Sequence, residues 1–251
     1  VSTAPEPTVE IDRVRFAWRR GQRDVLDIAQ FAVAAGERVF IEGPSGSGKS
    51  SLLSLIGGVT SPREGGVRIL GADLARMPSR HRDRFRADHV GFVFQMFNLV
   101  PYLSMVDNVT LPCRFSRRRR ERAGARTGTP EAEARRLLAR LGLDRADLFE
   151  RAVTDLSIGQ QQRVAAARAL IGAPELIVAD EPTSALDEGA RGRFLELLST
   201  QCDEAGASLL FASHDPRLGD AFDRRVPLPE LNRAESGLNP DRIVAPPEAV
   251  D

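Results

Sequence analysis

The chain has 251 residues, 42% of them hydrophobic and 28% charged, with 35 basic residues balancing 35 acidic ones. That length and mixture exclude a disordered or fibrous chain and leave room for one large domain, or two lobes, around a sizeable core. A formal net charge of zero excludes the bulk electrostatic footprint of a nucleic-acid binder, and no apolar run reaches the length of a membrane-spanning helix.

Residues 1–10, VSTAPEPTVE, carry no basic stretch followed by an apolar one, so they read as a loose tail rather than a signal peptide. The apolar run ERVFIEG, residues 37–43, predicts a short buried strand, and SSLLSLIGG, residues 50–58, predicts a helix. Between them GPSGSGKS, residues 43–50, fits the pattern of a Gly, four residues, then Gly-Lys-Ser. Gly43, Gly46 and Gly48, interleaved with Ser45 and Ser47, let backbone N–H groups converge on an anion. The helix N-terminus adds its dipole. Lys49 is the only lysine in the chain. Arginine serves everywhere else, so this position calls for a compact point charge reaching the β- and γ-phosphates, where a planar guanidinium would not fit. Ser50 would hold a magnesium ion, and Ser51 carries a second hydroxyl. The loop by itself reads as a nucleoside triphosphate site.

Residues 96–171 lack the strand-rich character of the rest. Within them MFNLVPYLSMVDNVTLP, residues 96–112, is rich in apolar and aromatic side chains. SRRRRERAGARTGTP, residues 116–130, is a charge run ending in turn formers. It reads as a solvated surface insertion, with anionic lipid headgroups as a second reading for the arginines. EAEARRLLARLGLDRADLF, residues 131–149, has helical apolar spacing. LSIGQQQRVAAARAL, residues 156–170, places a Ser and a Gly at the mouth of a helix whose alanines permit close packing. That mouth suits a phosphate, yet it has no lysine.

Farther on, ELIVADEPTSALD spans residues 175–187. Its apolar segment shows no alternation, which predicts a central parallel strand covered on both faces. Asp180 and Glu181 follow at the C-terminal end, where open α/β sheets bind ligands. Asp180 can hold magnesium, directly or through water, and Glu181 can polarise an attacking water as general base. The run SLLFASHD ends at His214, which is either structural or a γ-phosphate sensor that positions the water. Cys113 and Cys202 stand far apart, outside any metal-ligand spacing, and read as ordinary thiols of a reducing compartment. The Pro-rich polar stretch 232–251 reads as a second loose tail.

Together these stretches resemble the ATP-binding subunit of ABC transporters, over about residues 11–231. The phosphate loop, the glutamine of GFVFQ at Gln95, the signature-like LSIGQ, the acidic LIVADE and the loop SALD appear in that family's order. The resemblance implies an α/β fold, a P-loop NTPase of the ABC type. Its mixed sheet core carries N-terminal antiparallel β strands and an inserted helical lobe. The core would occupy residues 11–95 and 172–231, and the lobe residues 96–171. ATP and Mg2+ are the implied cofactors, with Ser50, Gln95 and Asp180 around the metal. Lys49, Gln95, Glu181 and His214 would carry catalysis. Trp18 would stack on adenine, with Phe16 as its rival.

The signature residues Ser157, Gly159 and Gln160 would face the nucleotide held by a second copy, paired head to tail, which explains the missing lysine. Ile158 stands where glycine is commoner. A β-branched residue resists the left-handed region, so this turn must use ordinary angles or carry strain. A transmembrane permease would be contacted around Phe97, Leu99, Tyr102, Leu103 and Met105. The protein would then sit peripherally on the cytoplasmic face of the inner membrane. The details resemble the lipoprotein-release and macrolide-efflux types. A solute importer subunit and a soluble ABC ATPase are the alternatives.

Overall fold

A computed structural model describes residues 6–145, 149 and 151–234. The chain runs β1 (Val9–Phe16), β2 (Leu26–Val33), β3 (Arg38–Glu42), α1 (Lys49–Ile56), β4 (Glu64–Ile69), β5 (Ala72–Asp73), α2 (Ser79–His89) and β6 (Val90–Val93). It continues through α3 (Met105–Phe115), α4 (Arg117–Thr127), α5 (Pro130–Arg140), α6 (Ile158–Leu170), β7 (Leu176–Asp180), α7 (Glu188–Ala205), β8 (Ser208–Ser213), β9 (Arg224–Pro227) and α8 (Leu228–Leu231).

The expected mixture of strands is divided between two sheets. One is antiparallel in the order β2-β1-β4-β5; the other is parallel, β6-β7-β8-β3-β9. The parallel strands are short continuous apolar runs because both of their faces are covered. Along β8, Leu210 and Ala212 join a core shared with α1 and the antiparallel sheet. Leu209 and Phe211 point the other way, into a core shared with α3, α5, α6 and α7. Period-two alternation thus places successive residues of one strand in two different cores.

Helix boundaries follow local chemistry. α5 starts behind Thr129, whose hydroxyl accepts from Ala132 N, with Pro130 in the first turn and Glu131 and Glu133 near the positive end. α7 starts behind Asp187, which caps Ala190 N, and stops at Gly206 in the left-handed region.

Three expectations about boundaries and surface change. The first loose segment was drawn through residue 10, but β1 begins at Val9 and Thr8 is buried, its hydroxyl 2.9 Å from Ser208 Oγ. Only residues 1–5 of that segment lie outside the described residues. The second was drawn from residue 232, yet Asn232 caps the edge of β2. Its amide accepts from Asp27 N at 2.8 Å and donates to Val25 O at 2.9 Å. The remainder, 235–251, lies outside the described residues.

The arginine run is mostly exposed, as a surface segment should be, with one exception among its arginines. It forms α4, and Arg119 is buried. The sequence reading missed that burial because a run of charges shows no apolar face, while the burial of one guanidinium depends on carbonyl partners 50 residues away. Both cysteines are buried and free.

Candidate functional site

At the C-terminal ends of β3 and β7 a cavity of about 470 Å³ is lined by Trp18, Val25, Ser45, Gly46, Gly48, Lys49, Ser50, Ser51, Gln95, Glu181, Ser184 and His214. The phosphate loop reaches it by a tight path. Gly48 caps α1 with φ +102, a backbone open to glycine, and no side chain caps the helix. The first-turn N–H groups of α1 therefore remain as donors at the positive end of the helix. Lys49 is 6% exposed. Its Nζ donates to Gly43 O at 2.6 Å and Pro44 O at 3.1 Å, and lies 3.2 Å from Glu181 Oε1.

The acidic pair divides its labour by position. Glu181 has φ +46, uncommon for a residue with a side chain. Its N–H donates to Ala212 O at 2.9 Å, which turns the chain out of the sheet. One carboxylate oxygen faces Lys49 and the other lies 2.8 Å from His214 Nδ1. His214 is exposed, so its imidazole borders the cavity and is not a core histidine. Asp180 sits behind them. Burial pushes its carboxyl above the usual range; a hydrogen bond with Ser50 pulls it back, the Glu181 charge raises it and Lys49 lowers it. Asp180 Oδ1 is buried with no hydrogen-bond partner among the described residues. A buried carboxylate oxygen of that kind, next to the Ser50 hydroxyl, matches what a hard cation requires. The donor set fits magnesium, which uses one or two carboxylates together with phosphate and water oxygens.

Trp18 lies beyond the end of β1 and is 56% exposed on the cavity wall, while Phe16 is buried beneath it. The two rings meet edge to face with centroids 5.1 Å apart. Phe16 thus supports the indole and leaves its outer surface open. Gly43 contributes a carbonyl to Lys49 and Ser47 Oγ is buried without a partner; neither lines the cavity. Two lining residues were not singled out from the sequence. Ser184 follows the acidic strand closely and was legible as part of the SALD loop; Val25 carries no chemical signal.

Ser157, Gly159 and Gln160 are not among the residues that line this cavity. They form the mouth of α6. Ser157 Oγ accepts from Gln160 N at 3.3 Å, and Gln160 Oε1 accepts from Ser157 N at 2.9 Å, a reciprocal cap. Ile158 is the first residue of the helix and takes ordinary right-handed angles. The strain considered for the signature is therefore absent.

The segment after Gln95 corrects the predicted permease contacts. Phe97 and Met105 are buried in the core of the helical lobe. Leu99 packs on that core, Leu103 is half-buried and Tyr102 is 81% exposed. Exposed Met96 joins Tyr102 on the surface. The apolar run has no period that separates its inner from its outer side chains. Asn108 makes the separation, bonding Val100 N and the carbonyls of Val100, Leu103 and Ser104. A second cavity of about 700 Å³ opens beside Asn98, between α2, β6 and α3. It holds none of the phosphate-loop residues and neither Asp180 nor Glu181, so its size does not make it the chemical site.

Residues 26–184 match the family model described as ABC transporter. The chain belongs to the ABC transporter family. The ABC ATPase is 38% identical over 255 residues to an uncharacterized ABC transporter ATP-binding protein of Mycobacterium tuberculosis, covering 98% of this chain and 99% of that protein. It is 42% identical over 224 residues to the lipoprotein-releasing system ATP-binding protein LolD of Anaeromyxobacter dehalogenans, covering 88% and 90%. Among solved structures it resembles the ATP-binding cassette MJ0796 in a dimeric post-hydrolysis state bound to ADP and Pi. That match has TM-score 0.74 and 33% identity, and covers 91% of this chain and 98% of that one. The ABC ATPase has no helix, among the described residues, long and apolar enough to cross a membrane.

Proposed function

We propose that this ABC ATPase hydrolyses ATP with magnesium and powers a separate permease, in export or mechanical work of the lipoprotein-release or macrolide-efflux type. Two copies would close head to tail around ATP. The observation that carries the reading is that Lys49, Glu181 and His214 converge in one cavity while the signature helix of the same chain opens elsewhere. The site thus holds a triphosphate cradle and a base but lacks the second helix mouth. A second copy would supply it. The dimeric state of the MJ0796 structure supports that arrangement. The names of relatives support the subfamily. They include LolD and a macrolide export ATP-binding/permease protein MacB of Burkholderia pseudomallei, 35% identical over 247 residues, with 97% of this chain and 36% of that protein covered.

The chain's own residues divide the chemistry. Trp18 stacks on the adenine. Backbone donors from the loop and the mouth of α1 hold the phosphates. Lys49 exchanges the Glu181 carboxylate for phosphate oxygens, which frees Glu181 to accept a proton from the attacking water. His214 holds Glu181 and the γ-phosphate in register. Ser50, Asp180 and Gln95 would hold magnesium, and when bound the ion would supply positive charge beside the phosphate oxygens. Exposed Met96 and Tyr102, with exposed Phe115 on the rim of the larger cavity, form the surface for the permease. The protein would then be peripheral, on the cytoplasmic face of the inner membrane.

The test is Glu181→Gln. We expect retained ATP binding, hydrolysis lower by about 10²- to 10⁴-fold, and an ATP-dependent dimer on a sizing column. Captured from solubilised membranes with ATP, this variant should carry a permease with it. Hydrolysis at the parent rate would remove Glu181 as general base. Ribosomal or assembly proteins in place of a membrane chain would overturn the transport reading.

A further inference from the structure

The least expected group in the molecule is Arg119. It lies in the arginine run, is 3% exposed, and among the described residues its hydrogen-bond partners are backbone carbonyls and not a carboxylate. Instead it serves the far end of the signature helix. Its Nε donates to Ile171 O at 2.7 Å and its Nη2 donates to Ala169 O. These are carbonyls that the end of an α-helix leaves without partners, at the negative end of its dipole. The fit is close: Gly172, with φ +71, lies so near that a Cβ there would be 2.6 Å from Arg119 Cα.

Neighbouring arginines fasten the same corner to the sheet. Arg122 donates to Ala173 O at 2.6 Å, and Arg118 and Arg122 both pair with Glu175, the residue before β7. Glu175 also meets His89 of α2 at 2.9 Å. Ser116, which caps α4, bonds Asp88 of α2. From α6 itself, Gln162 donates to Pro182 O at 2.7 Å, next to Glu181, and Arg168 donates to the carbonyls of Phe97 and Asn98, just past Gln95.

The helix is thus tied to both loops of the nucleotide cavity, and its last turn is fixed from α4. We propose that Arg119 is a positioning residue for ATP-driven dimer closure: it sets the tilt of α6 and so aims Ser157 at the partner copy's nucleotide. This rests on the head-to-tail reading above. α6 has thirteen residues, so at about 1.5 Å per residue a tilt of about 5° at its far end moves its mouth by about 2 Å. That displacement is enough to break a hydrogen bond to phosphate.

The experiment uses the full chain carrying Glu181→Gln, so that closure is read without turnover. ATP binding by one copy is followed by the fluorescence of Trp18, the only tryptophan. Dimer formation with ATP is followed by sedimentation. Arg119→Met should leave the Trp18 response intact and weaken the dimer by about 10- to 100-fold, the scale on which a misplacement of about 1 Å acts. Arg119→Lys should recover part of the loss. Arg122→Ala, at the surface of the same corner, should shift the dimer in the same direction by less, and it decides the question if Arg119→Met does not fold. A dimer of parental strength in the folded Arg119 variants, or in Arg122→Ala where Arg119→Met is unfolded, would reduce this corner to ordinary stabilisation. Failure of Glu181→Gln alone to dimerise would instead strike the head-to-tail reading.

Discussion

The molecule presents two helix mouths suited to phosphate, and they are built in opposite ways. α1 opens on Gly48, whose left-handed backbone provides no side-chain cap, so its donors remain for a ligand. α6 opens on Ser157, which closes a reciprocal cap with Gln160. One mouth is completed by what it binds, the other is complete by itself. The second still has something to offer, since a serine hydroxyl accepting from Gln160 N keeps its own proton to donate.

Lys49→Ala attacks the first mouth and should have the largest effect. It removes the loop's cation and leaves Glu181 without its partner at 3.2 Å. We expect hydrolysis to fall about 10³-fold, the upper range for loss of one positioned donor, and the Trp18 response to ATP to vanish. Activity within tenfold of the parent would mean that the triphosphate lies elsewhere.

The far end of α6 gives the next effect. Burial alone would raise the Glu175 carboxyl, but hydrogen bonds from His89 and Arg118, and the charge of Arg122, bring it to about 2. A carboxyl depressed below its unfolded value of about 4.3 stabilises the fold above that pH and loses the contribution as pH falls towards 2. Glu175→Gln should therefore cost roughly 2 kcal/mol at pH 7, allowing for partial exposure, and the gap to the parent should close between pH 4 and pH 2, where it is about zero. Urea unfolding across that range measures it. A gap independent of pH would assign the loss to packing.

Ser157→Ala tests the second mouth in isolation and should have the smallest effect on stability. Loss of an N-cap costs about 1 kcal/mol in the single copy, seen as a lower urea midpoint with an unchanged slope. A parental midpoint would show that the cap contributes nothing to the stability of the single copy.

How legible each feature was depends on whether its cause is local. The phosphate loop and the acidic pair could be read because short segments fix them: a glycine pattern between strand and helix, and polar residues ending an apolar run. Trp18 could be read from the resemblance, although its freedom from the core depends on Phe16 lying beneath it. The burial of Arg119 within the exposed arginine run was missed because the carbonyls that bury it come from the end of α6, far along the chain. Phe97 and Met105 were misplaced for a related reason. Asn108 folds their segment inward, and one amide among seventeen residues does not advertise three carbonyl partners. Val9 by pairing with Val33 of β2, and Asn232 by bonding Asp27 N and Val25 O at its start, belong to the fold beyond the expected limits, which neither segment reveals by itself.

The solitary lysine has a consequence for covalent chemistry. Amine-directed reagents, whether acetylating, carbamylating or fluorescent, find a single ε-amino group among these residues. It lies almost wholly buried against the phosphate loop's own carbonyls and Glu181. Mass added at that ε-amine, read apart from any added at the α-amine, would report on occupied and empty nucleotide sites without a background of surface lysines.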